Sequence, residues 1–155
     1  MLTWARVDPS AALAVMAELP YDQQRGLAQS MDKLVKEDET RSPYLQALVE
    51  YPDGPVRARL LEEALDEWSG FDPAAAAGWF DTLEFSAPEQ ALGPAFELAE
   101  NWFESAPRTA VDWVWPKIPA EVRKEFVTDF VHREWANRDP EGAKAWLEEN
   151  GLAER

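Results

Sequence analysis

Trp68-Ser69-Gly70-Phe71-Asp72-Pro73 and Trp135-Ala136-Asn137-Arg138-Asp139-Pro140 are two copies of one pattern, a tryptophan five positions before a proline. Trp4…Pro9 and Trp102…Pro107 repeat it. Aspartate precedes three of the four prolines, at Asp8, Asp72 and Asp139, and Ala106 precedes the fourth. A weaker copy sits at Ser42-Pro43. The prolines at 9, 43, 73, 107 and 140 therefore stand 34, 30, 34 and 33 residues apart. A regular period of that length is the signature of a repeat architecture.

Each copy reads locally as a helix start. Asp or Ser before Pro offers a side-chain oxygen to the free N–H groups of the first turn. Proline at the next position has no N–H to leave unpaired and already holds a helical φ. The spacing predicts first helices over Ser10–Glu18, Tyr44–Tyr51, Ala74–Leu83, Arg108–Trp115 and Glu141–Asn150. Leu19-Pro20, Tyr51-Pro52 and Ile118-Pro119 then stop one helix and open the next, because the residue before proline avoids the α region. Ser86 and Glu89 are spaced as a capping box for the same purpose.

The second helices are longer. One runs from Asp53-Gly54-Pro55 to about Trp68 with Val56, Leu60, Leu61, Ala64 and Leu65 on one stripe. Another runs from Pro119 with Val122, Phe126, Val127, Phe130, Val131 and Trp135 at the same spacing. A kink is expected at Gly93-Pro94 and an exposed loop over Lys36–Arg41. No stretch alternates with period two. The chain is thus expected to be all-α, a single solenoid domain over residues 1–155 built from four to five helical hairpins.

Composition narrows the function. Hydrophobic residues make up 46% of the 155, enough for a packed core, and no cysteine is present. Thirty acids against fifteen bases give a net charge of −15. Such a surface repels nucleic-acid backbones and anionic membranes and attracts a basic partner. The N-terminus has no signal-peptide pattern and no apolar run is long enough to span a bilayer, so we expect a soluble, cytoplasmic protein.

Reactive chemistry is absent from the pattern. His132 is the single histidine, with no second nitrogen or sulfur ligand at helical spacing, so no metal site is expected. Glu62-Glu63-Asp66-Glu67 and Glu97…Glu100…Glu104 read as solvated helix faces. There is no glycine-rich phosphate loop and no nucleophile elbow. Neither cofactor nor catalytic residue is expected. Trp4, Trp68, Trp79, Trp102, Trp113, Trp135 and Trp146 read as packing between layers. Trp115, two residues after Trp113, cannot share that face and is a candidate for an exposed binding role.

The segments Asp72-Pro73-Ala74-Ala75-Ala76-Ala77-Gly78-Trp79-Phe80 and Asp139-Pro140-Glu141-Gly142-Ala143-Lys144-Ala145-Trp146-Leu147 resemble the start of a tetratricopeptide repeat. Trp79, Trp113 and Trp146 stand at that family's early-helix aromatic position, with Val15 and Val49 there in the first two copies. The family's first-helix glycine is missing, and a proline turn shortens that helix. The resemblance implies a right-handed α–α superhelix whose first helices line a concave groove for a peptide or partner protein. Carried over, the groove is lined by the two positions after each aromatic: Met16 and Ala17, Glu50 and Tyr51, Phe80 and Asp81, Val114 and Trp115, Leu147 and Glu148. Of these, Tyr51, Phe80, Asp81, Val114, Trp115 and Leu147 are the candidate partner-binding residues. The expected function is a scaffold or interaction module for a partner with a basic surface, free of nucleic acid and membrane. An acidic decoy that occupies a basic site and a repeat segment of a larger enzyme are the alternatives. Both chain ends fall in mid-repeat, and Leu2 and Trp4 stand on a short stub. A longer repeat protein, or a second chain packed on the N-terminal end, is therefore also expected.

Overall fold

The computed structural model describes residues 2–31 and 33–153. Helix is the only regular structure among them. By residue contact the chain divides into two compact units, Met1–Asn101 and Trp102–Arg155.

The first unit holds α1 (Leu2–Val7), α2 (Pro9–Ala17), α3 (Tyr21–Met31), α4 (Lys33–Lys36), α5 (Asp38–Glu50), α6 (Pro55–Ser69), α7 (Pro73–Phe80) and most of α8 (Glu89–Phe103). Its packing is layered. First helix lies on first helix, α2 against α5, and second helix on second helix, α3 against α6. Met16 and Leu48 are fully buried in the first layer, and Ala28, Leu60 and Leu65 in the second. Each fully buried leucine contributes about 1.5–3 kcal/mol. Polar links join residues about one repeat apart: Arg6 to Glu37 at 2.8 Å, Lys36 to Glu67 at 2.7 Å, and Asn101 Nδ2 to Asp66 Oδ1 at 2.8 Å.

In the second unit α9 (Pro107–Val114) is followed by a 3-10 turn, Trp115–Lys117. Next comes α10 (Ala120–Phe126), which passes into a π-helical stretch, Val127–Trp135, and ends as α11 (Ala136–Arg138). The last helix is α12 (Pro140–Glu149). Trp135, Trp146, Ile118 and Val111 are fully buried. The wide turns of the π stretch change the expected register. Phe126, Val131 and Trp135 are buried while Val127 and Phe130 are only half-buried, because i→i+5 bonding lengthens the repeat of the inward face. Phe130 still stacks on Phe126 with ring centroids 5.1 Å apart and meets Phe103 edge-on at 4.7 Å.

The tryptophan-to-proline spacing has a mechanical reason. The carbonyls of Trp4, Trp68, Trp102 and Trp135 accept the N–H of Asp8, Asp72, Ala106 and Asp139 at 2.8–2.9 Å, the last α-helical bond of the incoming helix. The aspartate that donates this N–H is also the N-cap of the outgoing helix. Asp8, Asp72 and Asp139 accept from the N–H three residues on, at 2.9, 3.1 and 2.9 Å. All four corner residues hold φ between −148° and −142° and ψ between 73° and 85°, away from the α region as a following proline requires. The corner then sets two rings together eleven residues apart. Trp68–Trp79, Trp102–Trp113 and Trp135–Trp146 have centroids 6.1, 6.2 and 6.2 Å apart and interplanar angles of 48°, 52° and 51°.

Ala106 has the corner's backbone and lacks its cap. Ala106→Asp should therefore raise the unfolding free energy by about 1 kcal/mol through the missing cap bond. An unchanged urea midpoint would mean that the cap adds nothing beyond the backbone geometry.

Four local expectations are corrected. Ser42-Pro43 does not open a helix, and Lys36–Arg41 is not a loop: α5 already begins at Asp38 and carries Pro43 inside it. The cause is a side-chain clasp on the end of α4. Thr40 Oγ1 donates to the Leu34 carbonyl at 2.6 Å, and Arg41 Nε to the Val35 carbonyl at 2.6 Å. With those carbonyls satisfied the chain turns at once, and Pro43 as the sixth residue forfeits a single helical bond. Pro94 is likewise the sixth residue of α8, which continues through Gly93 without a break. A Cβ at Gly93 would lie 2.7 Å from Glu62 Oε1, the far end of a flexible side chain that would have to move aside. Ser86 forms no capping box. Its hydroxyl donates to the carboxylate of Asp53.

The expectation for the N-terminal stub falls partly outside the described residues, since the side chain of Leu2 is among those not described. Trp4 is exposed at 42% and Val7 at 83%.

Candidate functional site

The helices α2 and α5 lie side by side, both as first helices of their copies. Small residues let them approach and leave a trough between them. That trough has a volume of about 290 Å³ and is floored by Leu13, Ala14, Ala17 and Ala47. Glu18 and Glu50 stand on its rim, and Tyr51 closes one end. Glu18 is the C-cap of α2 and Glu50 the last residue of α5.

Tyr51 is an anchor within this arrangement. It is only 6% exposed, and its hydroxyl donates to Gln24 Oε1 at 3.0 Å. Gln24 Nε2 in turn donates to the carbonyls of Ala17 at 3.1 Å and Leu19 at 2.6 Å, which ties down the frayed end of α2. Burial raises the pKa of the Tyr51 phenol, so it stays neutral and keeps this donor role well into alkaline conditions.

The rim is electrostatically unfavourable for the free chain. Helix C-termini carry the negative end of the backbone dipole, where a carboxylate is destabilised and a cation is welcome. Neither α2 nor α5 has a base in its last turn, and no basic residue lines the trough.

Two other clefts lie in the first unit. One, of about 380 Å³, is lined by Asp38, Arg41, Leu45, Gln46, Trp68 and Trp79. Its cation is already committed: Arg41 sits over Trp68 at 5.8 Å and Phe71 at 5.1 Å, and pairs with Asp38 at 2.7 Å. The other, of about 580 Å³, runs between α3 and α6 past Tyr21, Arg25, Val56, Arg59 and Glu62. Burial above all pushes the Glu62 carboxyl upward, with the like charges of Glu97 and Glu63 adding to it and Arg59 opposing. A carboxyl raised on folding favours the fold while protonated, and that contribution is lost as pH rises through its folded value. Glu62→Gln should therefore raise the urea midpoint near pH 7, with the gain shrinking as pH falls to about 4. A gain independent of pH would trace it to something other than the carboxylate.

The residues expected to line the groove are divided by the structure. Ala17, Glu50 and Tyr51 do share one trough. Phe80, Val114 and Leu147 are only 4%, 1% and 7% exposed, so these side chains belong to the core, and Tyr51, 6% exposed, contributes no more than a wall of the trough. A first helix wedged between two neighbours buries more than one stripe, and the position after the aromatic falls inside that arc. Asp81 is exposed at the end of α7. Trp115 is half-buried rather than free. Its ring meets Trp146 edge-on at 5.2 Å and Phe126 at 6.1 Å, with the Arg123 guanidinium over it at 5.0 Å.

No family model, curated protein or solved structure matches this chain. The chemistry must therefore be read from the residues alone. His132 is exposed on the π stretch. Among the described residues no group of three or more His, Cys, Asp or Glu side chains could hold a metal ion. No helix among them is long and apolar enough to cross a membrane. Glu18 and Ala14, which complete the trough, were missed by the sequence reading. The available signal was an acid at the C-terminal end of a first helix, against the dipole, in two successive copies.

Proposed function

We propose that this chain is a helical-repeat interaction module, related in construction to tetratricopeptide arrays, that binds a basic partner protein or peptide on the surface of its first helices. The observation that carries the reading is the layering of like on like. Within the first unit α2 packs on α5 and α3 on α6, and within the second α9 packs on α12. Stacking equivalent helices in this sense forms a surface of first helices within a unit, and such a surface suits an extended segment. The tryptophan corners support the reading because each repeats the same turn between copies.

A nucleic-acid mimic is less well supported. It needs regular rows of uncompensated charge, and such rows are interrupted here where acids are paired, as in Arg108 with Asp112 at 2.8 Å and Arg138 with Glu104 at 2.8 Å.

The test is affinity capture from the native host with cross-linking and mass spectrometry. Cross-links from the partner should fall on α2 and α5, and the complex should weaken with added salt because exposed charges are screened. Cross-links confined to the second helices, or capture that is indifferent to salt, would overturn the proposal.

A further inference from the structure

Resting on the module reading, we infer that the trough between α2 and α5 is a docking site for one lysine or arginine side chain of an extended basic peptide. The aliphatic stem lies over Ala14, Ala17 and Ala47, and the cation sits between Glu18 and Glu50. Charge complementarity carries the choice of occupant. Several acids of the first unit are answered by bases of the same chain, among them Glu37 by Arg6, Glu67 by Lys36 and Asp38 by Arg41. Glu18 and Glu50 form no ion pair among the described residues, although both border the same trough. They also stand at the negative ends of two adjacent helices whose last turns supply no base. A cation arriving from outside relieves both defects at once.

The floor selects the rest of the ligand. Ala14, which is exposed, and Ala17, which is half-buried, offer apolar surface above the buried Leu13 and Ala47 to a methylene stem, which long basic side chains readily cover while their heads stay polar. The volume of about 290 Å³ is at the small end for a ligand site, suited to one long side chain rather than to a folded element. Tyr51 is held by Gln24 as a fixed end wall, so the shape exists before the ligand arrives. The net charge of −15 steers a basic segment toward the protein.

Fluorescence anisotropy with a fluorescein-labelled peptide of alternating lysine and alanine tests the site, using the whole chain. The arginine–alanine and glutamate–alanine peptides serve as comparison. The double change Glu18→Gln with Glu50→Gln should weaken binding of the lysine peptide by about tenfold or more, roughly the loss of two charge contacts. Ala14→Trp, at an exposed position, should do the same by filling the trough. The control pair Glu121→Gln with Glu125→Gln removes equal charge from exposed positions on α10 and should change affinity by less than about twofold. Equal losses in the rim and control pairs would show diffuse attraction only and overturn the site. So would spermidine that competes as strongly as the peptide, since a free polycation would then suffice. Light scattering that reveals self-association abolished by the rim pair would assign the trough to a second copy instead. The two readings also separate. A native partner still captured by the rim pair leaves the module standing without this site. Rim-dependent peptide binding without native partner cross-links on α2 and α5 leaves the site standing without the module.

Discussion

Trp146→Ala should lower the unfolding free energy by about 3–5 kcal/mol, the largest loss expected from a single truncation in the second unit. Trp146 is fully buried, and its indole meets Trp115 at 5.2 Å and Trp135 at 6.2 Å. Removing it leaves a void between two rings that cannot follow, because Trp135 is also edge-on to Phe103 at 6.4 Å. A polar contact is lost as well: Trp146 Nε1 donates to Asp112 Oδ1 at 2.8 Å, joining α12 to α9. Urea denaturation followed by far-ultraviolet circular dichroism measures the effect. A loss of under about 1 kcal/mol would mean that the aromatic cluster collapses around the void, and that the interlocked rings do not constrain the core.

In the first unit Trp68→Ala should cost about the same, 3–5 kcal/mol, for a different reason. Trp68 is 7% exposed, packs on Trp79 at 6.1 Å and lies under the Arg41 guanidinium at 5.8 Å. Its indole N–H is buried without a hydrogen-bond partner, as is that of Trp135 at the equivalent corner. Its contribution therefore comes from ring contacts and carries no hydrogen bond. The phenylalanine variants separate the two cases. Trp68→Phe gives up no hydrogen bond, whereas Trp146→Phe leaves Asp112 with only its Arg108 contact. Trp146→Phe should be the costlier of the two by about 0.5–1.5 kcal/mol. The reverse order would show that the Asp112 bond contributes nothing net.

The helix starts at Pro9, Pro73, Pro107 and Pro140 were legible because capping is local chemistry: a side-chain oxygen, a proline and a free N–H all lie within four residues. The tryptophan pairs were half legible. Both members were assigned to packing, but their eleven-residue partnership depends on the angle of the corner. Pro43 and Pro94 were misread for the opposite reason. Whether an internal proline breaks a helix depends on what secures the preceding turn, and at α5 that is Thr40 and Arg41 reaching back to α4. The trough was legible in Ala17, Glu50 and Tyr51 and not in Glu18, since its role arises from α2 and α5 lying together.

By itself, then, the sequence determined the class of fold, the period of the repeat and the points at which most helices open, because these follow from contacts within a single turn and from the spacing of apolar residues. Tertiary structure alone decided which side chains are inside and which outside. Tyr51, Phe80, Val114 and Leu147 were expected on a surface and are buried, because a short helix between two neighbours has more than one inward face. The widening of Val127–Trp135 to a π-helix belongs to the same class. It keeps Phe126, Val131 and Trp135 of the expected stripe inward together and leaves Val122, Val127 and Phe130 only half-buried, with Phe130 and Trp135 meeting Phe103.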